Sequence, residues 1–175
     1  MIARWAKMLL MVAMAMYFTV VVFNNVTDFG SNYQFVQHVL SMDSTFPGNH
    51  GMWRAIHSPA VHVTFYMGII AWETANAALG WWGFVSMLRA RRGNEMEFAR
   101  SKRVGVAALI SGMLLWFVAF TTLGGEWFLM WQSRTWNGEE AAFRLFVCEG
   151  IVLVLMMLPE MRERESVAGE SIPKG

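Results

Sequence analysis

The chain has one cysteine and four prolines in 175 residues, and only 15% of its residues are charged. The single cysteine, Cys148, excludes an internal disulfide and a cysteine-cluster metal site. So few charges exclude an ordinary soluble surface, which carries nearer a quarter charged residues. Lysines and arginines number 14 against 13 acids, a near balance that gives nucleic acid nothing to bind. No phosphate-binding glycine loop, nucleophile triad or CxxC pair occurs, so no soluble-type enzymatic site is indicated.

What the chain has is apolar: 55% hydrophobic residues, with nine tryptophans and fifteen methionines. Long apolar runs with few charges predict an all-α integral membrane protein of one compact domain, residues 1–160, with a cytoplasmic tail over 161–175. The methionines raise the question of copper. Most lie within apolar runs, as Met8, Met11, Met14 and Met16 do, where thioethers fill a core or face lipid.

Four spans are predicted, at about 8–25, 59–88, 104–124 and 141–158. The first follows Arg4 and Lys7 but lacks a small-residue cleavage site, so it reads as an uncleaved helix. Between turn signals at 28–32 and 46–49, the apolar residues Tyr33, Val36, Val39 and Leu40 recur at helical spacing. That segment predicts a helix lying at the interface on the outer face of a four-helix bundle. Ser58 and Pro59 form a start signal for the second span. Six lysines and arginines between 89 and 103 predict a basic loop, and Pro159 closes the fourth span.

All lysines and arginines except Arg54, Arg134 and Arg144 lie at the amino terminus, in that loop or in the tail. The positive-inside rule then predicts a multi-pass protein with both termini and the basic loop in the cytoplasm. The stretch 123–138, LGGEWFLMWQSRTWNG, falls on the outer side. Gly124 and Gly125 are expected to break the third span there. Trp127, Trp131 and Trp136 would seat a lid at the headgroups, with Glu126 and Gln132 pointing down into the bundle.

Ionisable residues inside spans are costly and point to function. His62 and Glu73 lie eleven residues apart, three helical turns, with Tyr66 between them and Asn76 just beyond. This stripe must face the bundle interior, and Glu149 of the fourth span can reach a similar depth. It reads either as a proton or ion relay or as packing glue, in which Glu73 is protonated or bonds Asn76 and other interhelical partners; no span holds a basic residue to pair with it, which favours the neutral acid. His38, Asp43, His57, His62 and Glu126 could be drawn together as a metal site, although their spacing matches no zinc motif. Haem b would need facing histidines, and only His62 lies inside a span. A quinone could sit at His62 and Tyr66 beneath the tryptophans.

AIHSP at 55–59, VLSMD at 39–43, the Glu97–Arg103 stretch and the pattern GGxxFxMWQ at Gly124, Gly125, Phe128, Met130, Trp131 and Gln132 resemble the DUF2165 family of small bacterial integral membrane proteins. The likeness runs from Asn24 to Leu158. It implies four spans in an inner membrane and brings no catalytic residue or substrate. Function is therefore expected in one of three classes. The first is an accessory subunit of a larger respiratory or photosynthetic membrane complex, bound to other subunits or to itself. The second is a small proton, ion or solute transporter using His62, Tyr66, Glu73 and Glu149. The third is an electron-transfer protein holding haem, a metal or a quinone.

Overall fold

The computed structural model describes residues 1–159, so the predicted tail at 161–175 lies outside the described residues. The described residues are helical, without strands: α1 Ile2–Thr27, α2 Phe29–Ser41, α3 Pro59–Ala90, α4 Glu95–Ser101, α5 Arg103–Leu114 and α6 Glu139–Met157. Short 3-10 turns at Met52–Arg54 and Met130–Gln132 punctuate the connecting segments.

Helix α1 is longer than predicted because Arg4 and Lys7 are used by the fold. Arg4 donates to the Arg91 and Gly93 carbonyls and sits over the Phe98 ring. Lys7 donates to the Leu158 carbonyl at 2.6 Å, and Lys102 to the Met156 carbonyl at 2.8 Å. Both ammonium groups thus meet the carbonyl end of α6, where unpaired acceptors and the helix dipole favour positive charge. The predicted basic loop also contains helix α4. Asn94 accepts from the Glu97 amide while Glu97 accepts from the Asn94 amide, a reciprocal cap that nucleates a short helix.

The third apolar stretch departs most from expectation. After Leu114 the chain continues as a π-helix, Leu115–Trp127. Gly124 and Gly125 lie buried within it and do not break the span. The threonines follow the wider repeat, Thr121 donating to the Trp116 carbonyl and Thr122 to that of Phe117. The turn comes later, where Leu129 adopts a left-handed conformation at φ 54°.

Helix α1 packs on α3, α3 on α5, and α5 with its π-helical continuation on α6, while α2 lies across α3. Two glycines set the tightest approach. A Cβ on Gly83 would stand 2.6 Å from the Gly105 Cα, so α3 and α5 meet backbone to backbone. At the basic end, Met8, Met11, Met87, Phe98, Leu109, Val152 and Met156 form a dry core. At the opposite, lid end, α2 contributes Val36, Val39 and Leu40 to a second core with Tyr66, Phe128 and Met130. Among the described residues, Ile2–Thr27 and the continuous helical stretch Glu95–Trp127 are long and apolar enough to cross a membrane.

Candidate ligand chamber

The predicted stripe on α3 is buried: His62, Tyr66, Glu73 and Asn76 are each at most 2% exposed. Helical periodicity alone put them on one face, and that face is the inward one. Their partners differ from those expected. Glu73 does not bond Asn76; its Oε2 accepts from Asn25 Nδ2 of α1 at 2.6 Å. Asn25 Oδ1 in turn accepts from Asn32 Nδ2 of α2 at 2.8 Å and lies 3.3 Å from the Tyr66 hydroxyl, which also donates to the Asn25 carbonyl. Asn25 is thus the centre of a network joining three helices. Its place at the end of an apolar run made it look like a headgroup-level polar residue. Among the described residues Asn76 has no hydrogen-bond partner for either amide atom, and it borders a void of about 10 Å³.

His62 stands apart from this network. It lies 2.7 Å from the Ile56 carbonyl through Nε2, so that nitrogen carries the proton and ties the 55–58 segment to α3. Glu149, fully buried on α6, accepts from the Trp116 indole at 2.9 Å, and its carboxyl lies over Gly112, where any side chain would collide with it. Tyr17 of α1 lines the same space as Glu73 and Arg144.

The Asn25 network, though not His62, Asn76 or Glu149, borders a chamber of about 260 Å³. Tyr17, Asn25, Asn32, Tyr66, Glu73 and Arg144 supply its polar wall, and Phe35, Trp116 and Phe120 its remaining aromatic surface. Glu73 is 2% exposed and forms the floor, whereas Arg144 is exposed and forms the rim. The facing walls come from α1 at Tyr17 and Val21 and from α6 at Ala141, Arg144 and Leu145. An apolar pocket of about 70 Å³ adjoins it, sharing Phe35, Val36, Ile69 and Phe120. Arg144 corrects the expectation that no span holds a basic residue: it lies within α6, in the same chamber as Glu73. No ion pair joins the two among the described residues.

The lid takes other partners than predicted. Gln132 Oε1 accepts from the Phe46 amide at 3.0 Å, so it closes the 46–51 loop and does not point down into the bundle. Glu126 is exposed, and its backbone carbonyl receives Arg54 at 3.4 Å. The Arg54 guanidinium stacks on Trp53 and Trp127. Trp131 meets Phe46 edge to face. Trp136 stacks on His38 at 4.4 Å, while His38 Nδ1 pairs with Asp43 at 2.7 Å.

The five residues suggested as metal ligands are accordingly not brought together. His38 and Asp43 form one pair, His62 is turned to a backbone carbonyl, and His57 and Glu126 are exposed. Among the described residues no three histidine, cysteine, aspartate or glutamate side chains group as metal ligands would.

A chain whose described residues are mainly helical, with two helices of membrane length and a polar network bonded between helices, has the construction of an integral membrane protein. The family comparison agrees, and the chain belongs to the DUF2165 family, described as predicted small integral membrane proteins, over residues 3–159. Neither the curated proteins nor the solved structures compared with it gave a match.

Proposed function

We propose that this protein is a four-helix, multi-pass protein of the bacterial inner membrane that binds a small polar solute or ion from the outer side. Helices α1, α3, α5 with its π-helical continuation, and α6 are the four spans. Both termini and α4 lie in the cytoplasm, with α2 and the 128–138 lid on the outer face. Outward-facing residues on these helices support a lipid belt: Phe23 of α1 is 64% exposed, Trp82 of α3 62%, Phe117 of the π-helix 51% and Phe143 of α6 66%.

The observation that carries the binding reading is an acid and a base that line one chamber without bonding each other. Glu73 is held by Asn25 and by no other described residue, Arg144 lines the same space, and they form no ion pair. An acid and a base kept only to hold the helices together would be expected to bond each other directly. The chamber lies towards the lid end, and the methionine-rich core fills the basic end. The protein is thus outward-facing in this conformation, and passage to the cytoplasm would require the methionine core to part.

Cysteine accessibility tests this reading. In a Cys148→Ser background, Ile69→Cys and Leu145→Cys are expected to react with a small, charged, membrane-impermeant thiosulfonate added from outside. Met87→Cys, in the dry core, is expected to stay unmodified. Failure of both chamber cysteines to react would overturn it.

The accessory-subunit reading is favoured by a different observation. Trp53 is 75% exposed and, with Arg54 and Trp127, forms an aromatic and cationic surface of the kind that anchors partner proteins. It predicts that the protein extracted in mild detergent migrates with a larger assembly, and that Trp53→Ala releases it.

A further inference from the structure

Resting on the binding reading above, we infer that the chamber takes a zwitterion, with its ammonium group at Glu73 and its anionic group at Arg144. The floor offers a carboxyl oxygen, Glu73 Oε1, without a partner among the described residues. Around it stand five aromatic side chains, those of Tyr17, Phe35, Tyr66, Trp116 and Phe120. A carboxylate inside an aromatic wall is the chemistry that holds ammonium groups, by charge-assisted hydrogen bonding and by attraction to ring faces. Arg144 at the rim selects against a simple cation, which it would repel, and supplies planar donors suited to phosphate or carboxylate.

The size of the chamber suits one small molecule. Glu73, Tyr17 and Arg144 all line this one space of about 260 Å³. A ligand carrying both signs neutralises both residues at once, which neither a cation nor an anion does. Two sources share this chemistry. One is a phospholipid with an ethanolamine headgroup, entering between α1 and α6 with its alkyl chains left in the bilayer. The other is a free zwitterion such as an amino acid or phosphorylethanolamine.

The test uses the full chain purified in mild detergent and analysed by native mass spectrometry with an equimolar mixture of phosphatidylethanolamine and phosphatidylglycerol. A parallel arm measures binding of phosphorylethanolamine and glycine by equilibrium dialysis. The expected result is retention of the ethanolamine lipid, or binding of a free zwitterion, reduced about tenfold or more by Glu73→Gln and by Arg144→Gln. Glu140→Gln, an exposed acid outside the chamber, leaves it unchanged. Glu73→Gln keeps an acceptor for Asn25, and Arg144 is exposed, so both variants retain the fold. Lipid retention identifies a lipid source, and dialysis binding without it a free one. Equal retention of phosphatidylglycerol, insensitivity to both variants, or absence of binding in both arms would overturn the inference. Reactive chamber cysteines alongside such a failure would leave the outward-open chamber standing and remove only the zwitterion.

Discussion

Asn25 of α1 gives its side-chain amide to the Glu73 carboxyl of α3 at 2.6 Å, across 48 residues of sequence. Both residues are buried, and Asn25 Oδ1 also takes the Asn32 amide of α2. One side chain therefore fixes how three helices meet at the chamber. Asn25→Leu leaves Glu73 and Asn32 without this partner, and orphaned buried groups each cost about 1–3 kcal/mol. The expected outcome is a clear fall in melting temperature in detergent, with loss of the chamber's binding properties.

Asn76 lies on the same stripe and gives the opposite expectation. Its amide has no hydrogen-bond partner among the described residues, so replacing it with an apolar group of similar size removes a desolvated dipole and breaks no bond seen there. Asn76→Leu should leave thermal stability unchanged or raise it. A loss of more than about 1 kcal/mol would show that the amide has a bonding role.

The contact between α3 and α5 depends on the absence of side chains. Gly83→Ala would place a Cβ 2.6 Å from the Gly105 backbone, and separating the helices should cost roughly 1–3 kcal/mol. Gly68 on the same helix has nothing within 4 Å of an added Cβ. Gly68→Ala should therefore be neutral, or stabilising by about 0.5–1 kcal/mol through helix propensity. Melting curves of the two variants, measured in one detergent, separate packing from propensity.

Glu139, at the first turn of α6 and ahead of its membrane segment, sets a pH dependence. Burial raises its carboxyl above the ordinary 4.5, and the Glu126 carboxylate adds to the effect. A raised folded-state value means the neutral acid is favoured in the fold. Its stabilising contribution is complete below about pH 4.5 and is lost as the pH rises through the raised value. Glu139→Gln should flatten that part of the melting temperature profile relative to the parent; profiles of identical slope would contradict this assignment.

Orientation has its own test. A phosphatase reporter, active only outside, is expected to be active when inserted at Gly48–Asn49 and silent at Arg92–Gly93. The reverse pattern would invert the membrane placement and turn the chamber to the cytoplasm.

The parts of this architecture legible in the sequence are those encoded locally. Ser58 and Pro59 mark the start of α3, which runs Pro59–Ala90, and the apolar spacing in 33–42 marks α2. The inward face of α3 followed from the period of its polar residues. The network was not legible, because partners are set by tertiary approach: nothing near Asn25 shows that Glu73 will lie against it. Arg144 was counted as an outer-side charge, since its position near the start of a span hid that α6 turns it towards the chamber. The π-helix was not legible because an apolar run marks a span without showing its helical period; Trp116 and Phe120 of that π-helix line the chamber wall. The Asn94–Glu97 cap was readable from its spacing but was absorbed into a count of basic residues.

The most direct measurement of the central claim is a high-resolution structure of the full chain in lipid nanodiscs. The account predicts an open chamber between α1 and α6 with non-protein density bridging Glu73 and Arg144. A chamber closed by side chains, or a direct Glu73–Arg144 ion pair with no space between them, would contradict it.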